Sequence, residues 1–142
     1  MADYEAMYRS NYFKVDDVEA FQKLAKGIVS EDYTKIKADE DGTCFIGSYS
    51  SFKYVNEDGE CGIDYFLSQL SKIIAKDDAA IFTEIGHEKL CCINAVAAIV
   101  TRGKVKWLDL KNISMQEAGK ILGKPDWETQ MDYSDWETQM DY

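Results

Sequence analysis

Residues 79–110 read AAIFTEIGHEKLCCINAVAAIVTRGKVKWLDL, and this stretch decides the fold. Three apolar, β-rich runs are separated by two turn signals, Gly86–Lys89 and Arg102–Lys104, which predicts three consecutive strands. Ala95 to Val100 shows no polar alternation, so its strand is expected to be covered on both faces or nearly so. The rest of the chain reads as elements that extend or cover this sheet.

Immediately upstream lies the clearest helix, Ile63 to Ala75. Ile63, Phe66, Leu67, Leu70, Ile73 and Ile74 recur at helical spacing, with Asp64, Gln69 and Lys72 off that face. Further upstream, Tyr33–Lys37 and Thr43–Tyr49 predict a hairpin, Phe52–Val55 an extension of its second strand, and Asn56–Gly59 a turn. Tyr8–Val15 reads as a first strand. Asp16 and Asp17 offer a helix cap, with Glu19 completing an Asp-x-x-Glu box, for a helix that ends at Gly27. Downstream, Ser114 and Glu117 form a second capping box for a helix ending at Gly123. The order β-α-β-β-α-β-β-β-α predicts an α+β fold: an antiparallel or mixed sheet of about five to six strands with two to three helices on one face, in a single domain over residues 1–125.

The remainder, residues 126–142, is a duplicated tail. DWETQMDY occurs at 126–133 and again, unchanged, at 135–142. Within each copy Trp, Thr, Met and Tyr alternate with acidic or amide residues, a strand period. A single helix would place Trp127 and Trp136 on opposite faces. A recent duplication or a remnant of cloning, with one copy docking as an edge strand, is preferred to a hairpin of both copies or strand addition to a partner. The tail also carries much of the charge. The chain has a net charge of −10; the last seventeen residues hold six acids and no base, which leaves −4 over residues 1–125.

The chemistry excluded is considerable. No nucleotide-binding glycine motif occurs, and the acidic loops around Asp39–Gly42 and Asn56–Glu60 lack the ligand spacing of calcium loops. The four cysteines, Cys44, Cys61, Cys91 and Cys92, form no C-x-x-C pair and read as reduced, small hydrophobes. No catalytic set, metal site or cofactor is therefore assigned. With no signal peptide and no apolar run of membrane-spanning length, the chain is expected to be cytoplasmic. Basic runs are absent, so direct nucleic-acid binding is not expected, and acidity concentrated in the tail argues against DNA mimicry. The sole histidine, His87, with Glu88 and a cysteine, marks an alternative: a small enzyme or ligand-binding domain. A third reading is self-assembly through the tail repeats.

The binding candidates are aromatic and acidic. Gly47–Tyr54 reads GSYSSFKY, a composition suited to protein recognition, with Tyr49, Phe52 and Tyr54 as contacts. In the tail the candidates are Asp126, Trp127, Glu128, Asp132 and Tyr133.

Three segments carry a resemblance. Tyr8–Phe13 (YRSNYF), Gly86–Leu90 (GHEKL) and Leu122–Trp127 (LGKPDW) continued to Tyr133 resemble a group of small, uncharacterised acidic proteins carried on bacterial phages and other mobile elements. In that pattern the chain ends near Tyr133, so the second repeat departs from it. The resemblance implies an accessory or counter-defence role, such as an anti-CRISPR inhibitor of a defence nuclease, acting on a protein partner.

Overall fold

A computed structural model describes residues 4–30 and 33–131. The chain runs β1 (Glu5–Ser10), β2 (Phe13–Lys14), α1 (Val18–Ala25), β3 (Lys35–Ala38), β4 (Thr43–Ser48), β5 (Tyr54–Asn56), β6 (Gly59–Cys61), α2 (Ile63–Ile73), β7 (Ala80–Glu88), β8 (Cys92–Thr101), β9 (Lys104–Asp109) and α3 (Leu110–Leu122). The fold is α+β. Seven strands form one antiparallel sheet, with β3 on one edge beside β4, then β1 and β2, then β7, β8 and β9; β5 and β6 form a separate pair. The sheet counts one strand more than the five to six expected, because the first strand breaks in two.

The break between β1 and β2 replaces the expected continuous strand Tyr8–Val15. Two residues, Asn11 and Tyr12, bulge out, and side chains complete the ladder there. Ser10 Oγ accepts from the Ile46 N–H at 3.0 Å. The Asn11 side chain accepts from the Ile81 N–H at 2.8 Å and donates to the Ala79 carbonyl at 3.0 Å.

The residues 79–110 do form three paired strands. The first turn lies later than expected, at Lys89–Cys91, because pairing of β7 with β8 continues as far as Glu88 with Cys92. His87 is thus a strand residue and not a turn residue. The small strand β5 also corrects an expectation. Phe52–Val55 does not prolong β4; Tyr54–Asn56 pairs with β6 across the expected turn at Asn56–Gly59.

All three helices lie on one face of the sheet. Phe21 of α1 packs on Phe13 (5.8 Å between ring centroids), and Phe66 of α2 on Phe82 (6.0 Å). Lys111 of α3 reaches Asn94, two positions along β8 from Val96 and on the same side as Ala98 and Val100. Phe13, Phe21, Phe66, Leu67, Leu70 and Ile74 fill the core between these layers. Such burial of aromatic and aliphatic side chains is the main stabilising term of a domain this size.

Helix termini follow local chemistry, with three departures from expectation. Asp17, not Asp16, caps α1, accepting from the Ala20 N–H at 3.1 Å. Asp16 instead pairs with Arg102, whose Nε donates to the Ile74 carbonyl at 2.8 Å. The second helix stops at Ile73, since Ala75 N–H donates to the Lys14 carbonyl and the Ile73 carbonyl accepts from the Asp16 N–H. The third helix begins at Leu110 and not near Ser114. Asp109, at the end of β9, already caps it by accepting from the Lys111 N–H at 3.0 Å.

At its other end α3 closes on Gly123 (φ +69°), with Lys124 N–H bonded to the Gly119 carbonyl at 2.8 Å and Gly123 N–H to that of Lys120 at 3.2 Å. The chain then turns at Pro125 and folds back on the helix. Residues 127–131 of the first tail copy form no strand, contrary to the edge strand expected; Trp127 is half-buried near Gly119, and Thr129 N–H reaches Met115 Sδ.

Candidate interaction surface

Alternation along the strands assigns every side chain to one face or the other. The face away from the helices is carried by Met7 on β1, Ile81 and Ile85 on β7, Ile93, Ala95, Ala97 and Ile99 on β8, Leu108 on β9 and Phe45 on β4. No described element lies over it. Met7 is 44% exposed, Ile81 41%, Ile85 47% and Ile93 57%, side by side on three adjacent strands. Ala95–Val100 is therefore covered by helices on one face only; its lack of alternation reflects an open apolar face and not a second buried one.

The same register gathers charge. Arg9, Lys14, Lys35, Lys37, Lys104 and Lys106 all occupy positions of this open face, and Glu5 is the acid among its described strand residues. Lys35 and Lys37 stand on the β3 edge and Lys104 and Lys106 on the β9 edge, while Arg9 and Lys14 lie further in, on β1 and β2. Lys37 lies near Asp39 (3.7 Å) and over the Tyr12 ring (5.8 Å), and Tyr12 packs on Phe45 (5.2 Å). This face is basic on a chain of net −10.

Two open grooves run along it. One of about 670 Å³ is bordered by Met7, Arg9, Tyr33, Phe45, Tyr49 and Ile85. The other, about 890 Å³, is bordered by Tyr4, Met7, Tyr49, Ile85, His87 and Ile93. Met7, Tyr49 and Ile85 belong to both.

The sequence candidates are distributed unevenly over this geometry. Tyr49 is 68% exposed, edge-on to Tyr33 at 5.8 Å, and forms a groove wall. Phe52 is half-buried on the helix-covered side, against Tyr8 (5.2 Å) and Phe66 (5.1 Å). Tyr54 is a core residue whose hydroxyl donates to the Leu24 carbonyl at 2.6 Å. Of the three, Tyr49 alone borders the grooves of the open face. Asp126 and Glu128 are exposed and Trp127 lies on α3, on the helical side. Asp132, Tyr133 and the second repeat lie outside the described residues.

The alternative constellation does not converge. His87 projects onto the open face, its Nε2 3.6 Å from a carboxylate oxygen of Glu5. Glu88, the next strand residue, projects to the opposite face. The cysteines are elsewhere: Cys91 Sγ donates to the Glu88 carbonyl at 2.7 Å, and Cys44 is fully buried with its thiol pushed up to about 12, by burial first and then by Asp39 and Asp41. Among the described residues no group of three or more His, Cys, Asp or Glu side chains could hold a metal ion. No described helix is long and apolar enough to cross a membrane.

The open face itself was hidden from the sequence, since Met7 on β1 and Phe45 on β4 are far in the chain from the β7–β8 hairpin that carries Ile85 and Ile93. The available signal was the excess of apolar residues in 93–100 over what one buried face requires. Comparison with protein-family models, with curated proteins and with solved structures gives no match.

Proposed function

We propose that the chain is a non-enzymatic accessory protein that acts by binding another protein through the uncovered face of its sheet. One observation carries this reading: Met7, Ile81, Ile85 and Ile93 stand together and exposed on a sheet whose other face is layered with helices. A contiguous exposed apolar patch rimmed by polar residues marks an interaction site. Tyr49, on the groove wall, supplies the kind of rigid aromatic contact that anchors such interfaces.

The more specific role is that of an inhibitor of a bacterial defence nuclease, which is what the resemblance to phage-borne proteins implies. The test is a phage-challenge assay in bacteria carrying an active CRISPR or restriction system. Expression of the chain is expected to restore infection, and Ile85→Lys with Ile93→Lys to abolish the effect while the protein stays folded by circular dichroism. Full protection of the phage by the double variant would overturn the assignment of the face.

A further inference from the structure

We infer that the open face receives an amphipathic helix with acidic flanks, about four turns long, presented by a partner protein. This deepens the docking reading and rests on it. Three dimensions of the face support it: its width, its length and the placement of its charge.

The apolar stripe occupies β1, β7 and β8. Strands lie about 4.8 Å apart, so three span roughly 10 Å between outer axes. That matches the roughly 10–12 Å diameter of an α-helix. A single added strand would cover about a third of the stripe. Along β7, Ile81 to His87 extends about 20 Å at roughly 3.3 Å per residue. A helix of about four turns at 5.4 Å per turn has that length. The helices on the other face already satisfy the same geometry, with α2 seated by Phe66 on Phe82.

Charge then selects among helices. Lys104 and Lys106 line one side of the stripe, and Lys35 and Lys37, on β3 beyond β4, line the other. A helix with carboxylates on both flanks of its apolar face meets a base on each side, whereas basic flanks meet like charge. The same argument disfavours a second copy of this chain. Both outer edges of the face are basic, so face-to-face pairing about a two-fold axis along or across the strands opposes lysine to lysine. Single-stranded nucleic acid would also meet the bases, and Tyr12 and Phe45 could stack on it. However, the central stripe carries a single ring, His87, among aliphatic side chains and offers no series of rings to successive bases.

The experiment is selection of random 16-residue peptides displayed on phage against the full-length chain, followed by affinity measurement of the enriched peptides. The expected winners carry apolar residues at i, i+3, i+4 and i+7 flanked by Asp and Glu, and become helical when bound. Ile85→Lys with Ile93→Lys is expected to abolish their binding. Changing Lys35, Lys37, Lys104 and Lys106 to Glu should weaken it about tenfold or more, since four reversed exposed charges at a few tenths of a kcal/mol each reach that factor. Raising the salt concentration on the unaltered chain provides a second readout independent of any variant, and binding should fall.

Winners that depend on Ile85 and Ile93 but show no acidic bias or salt dependence would overturn the acidic helix and leave the docking face standing. Winners indifferent to Ile85→Lys would overturn both. Oligothymidine that binds the face and displaces the selected peptides would replace the helix with a nucleic acid.

Discussion

Tyr8 and Glu84 are direct partners across the β1–β7 ladder, and both face the helix-covered side. Burial pushes the Tyr8 phenol up to about 12, with the charge of Glu84 adding to the effect. Burial likewise raises the Glu84 carboxyl, opposed by the N–H of Phe52, which donates to it at 3.4 Å. The core thus favours the neutral form of each.

That pairing predicts a pH dependence with a definite sign. Glu84 holds its proton more tightly in the fold than in the unfolded chain. Its stabilising contribution is full below the ordinary carboxyl range and is lost as pH rises through the raised folded value. Glu84→Gln, which keeps an acceptor for Phe52, is expected to melt at a higher temperature than the parent at neutral pH and to match it in acid. Thermal melts of both proteins across that range check this; a parent that gains on the variant as pH rises contradicts it. Tyr8 follows the same sign at the alkaline end, so Tyr8→Phe should lose less stability between pH 10 and about 12.

Gly119 inverts the usual rule for helical glycines. Replacing an exposed helix-interior glycine by alanine commonly stabilises by about 1 kcal/mol. Here a Cβ would meet the Lys124 carbonyl oxygen at 2.8 Å, and that oxygen accepts from the Trp127 N–H at 3.0 Å. Gly119→Ala is expected to lower the melting temperature. It should also shift Trp127 emission to the red, read against Trp127→Phe.

The thiols should divide by burial. Cys44 is fully buried with its ionisation suppressed, whereas Cys61 and Cys92 are half-exposed. A thiol reagent is expected to modify Cys61 and Cys92 in the native protein and Cys44 only on unfolding. Mass spectrometry of the labelled peptides checks this order, and early labelling of Cys44 would contradict the placement of β4.

The two faces should respond oppositely to substitution. Phe66 is fully buried among Phe52, Tyr54 and Phe82, so Phe66→Ala is expected to cost about 3–5 kcal/mol in denaturant unfolding. Ile85 lies on the open side, and Ile85→Lys should change stability by only about 0.5 kcal/mol or less. It should nonetheless reduce binding of a hydrophobic dye to the native protein.

Much of this was legible in the chain itself. The 3.6-residue period of Ile63, Phe66, Leu67, Leu70 and Ile73 specified both α2 and the side it buries, because a helix displays its own face locally. The runs within 79–110 specified three successive strands, and Gly123 marked the end of α3. Boundaries were less legible wherever a distant partner decides them. Pairing with β8 kept His87 in a strand, and backbone hydrogen bonds to Lys14 and from Asp16 stopped α2.

Only the tertiary structure decided which faces stay uncovered. A strand period tells that residues 81, 83, 85 and 87 share a side, but not whether a layer will lie over them. The apolar run Ala95–Val100 is compatible with burial on two faces or on one, and the number of helices available to cover the sheet settles the matter. Likewise Arg9, Lys35 and Lys106 look like isolated charges in the sequence. They come to share one face because antiparallel register sums contributions from strands nearly a hundred residues apart, and register is a property of the whole sheet.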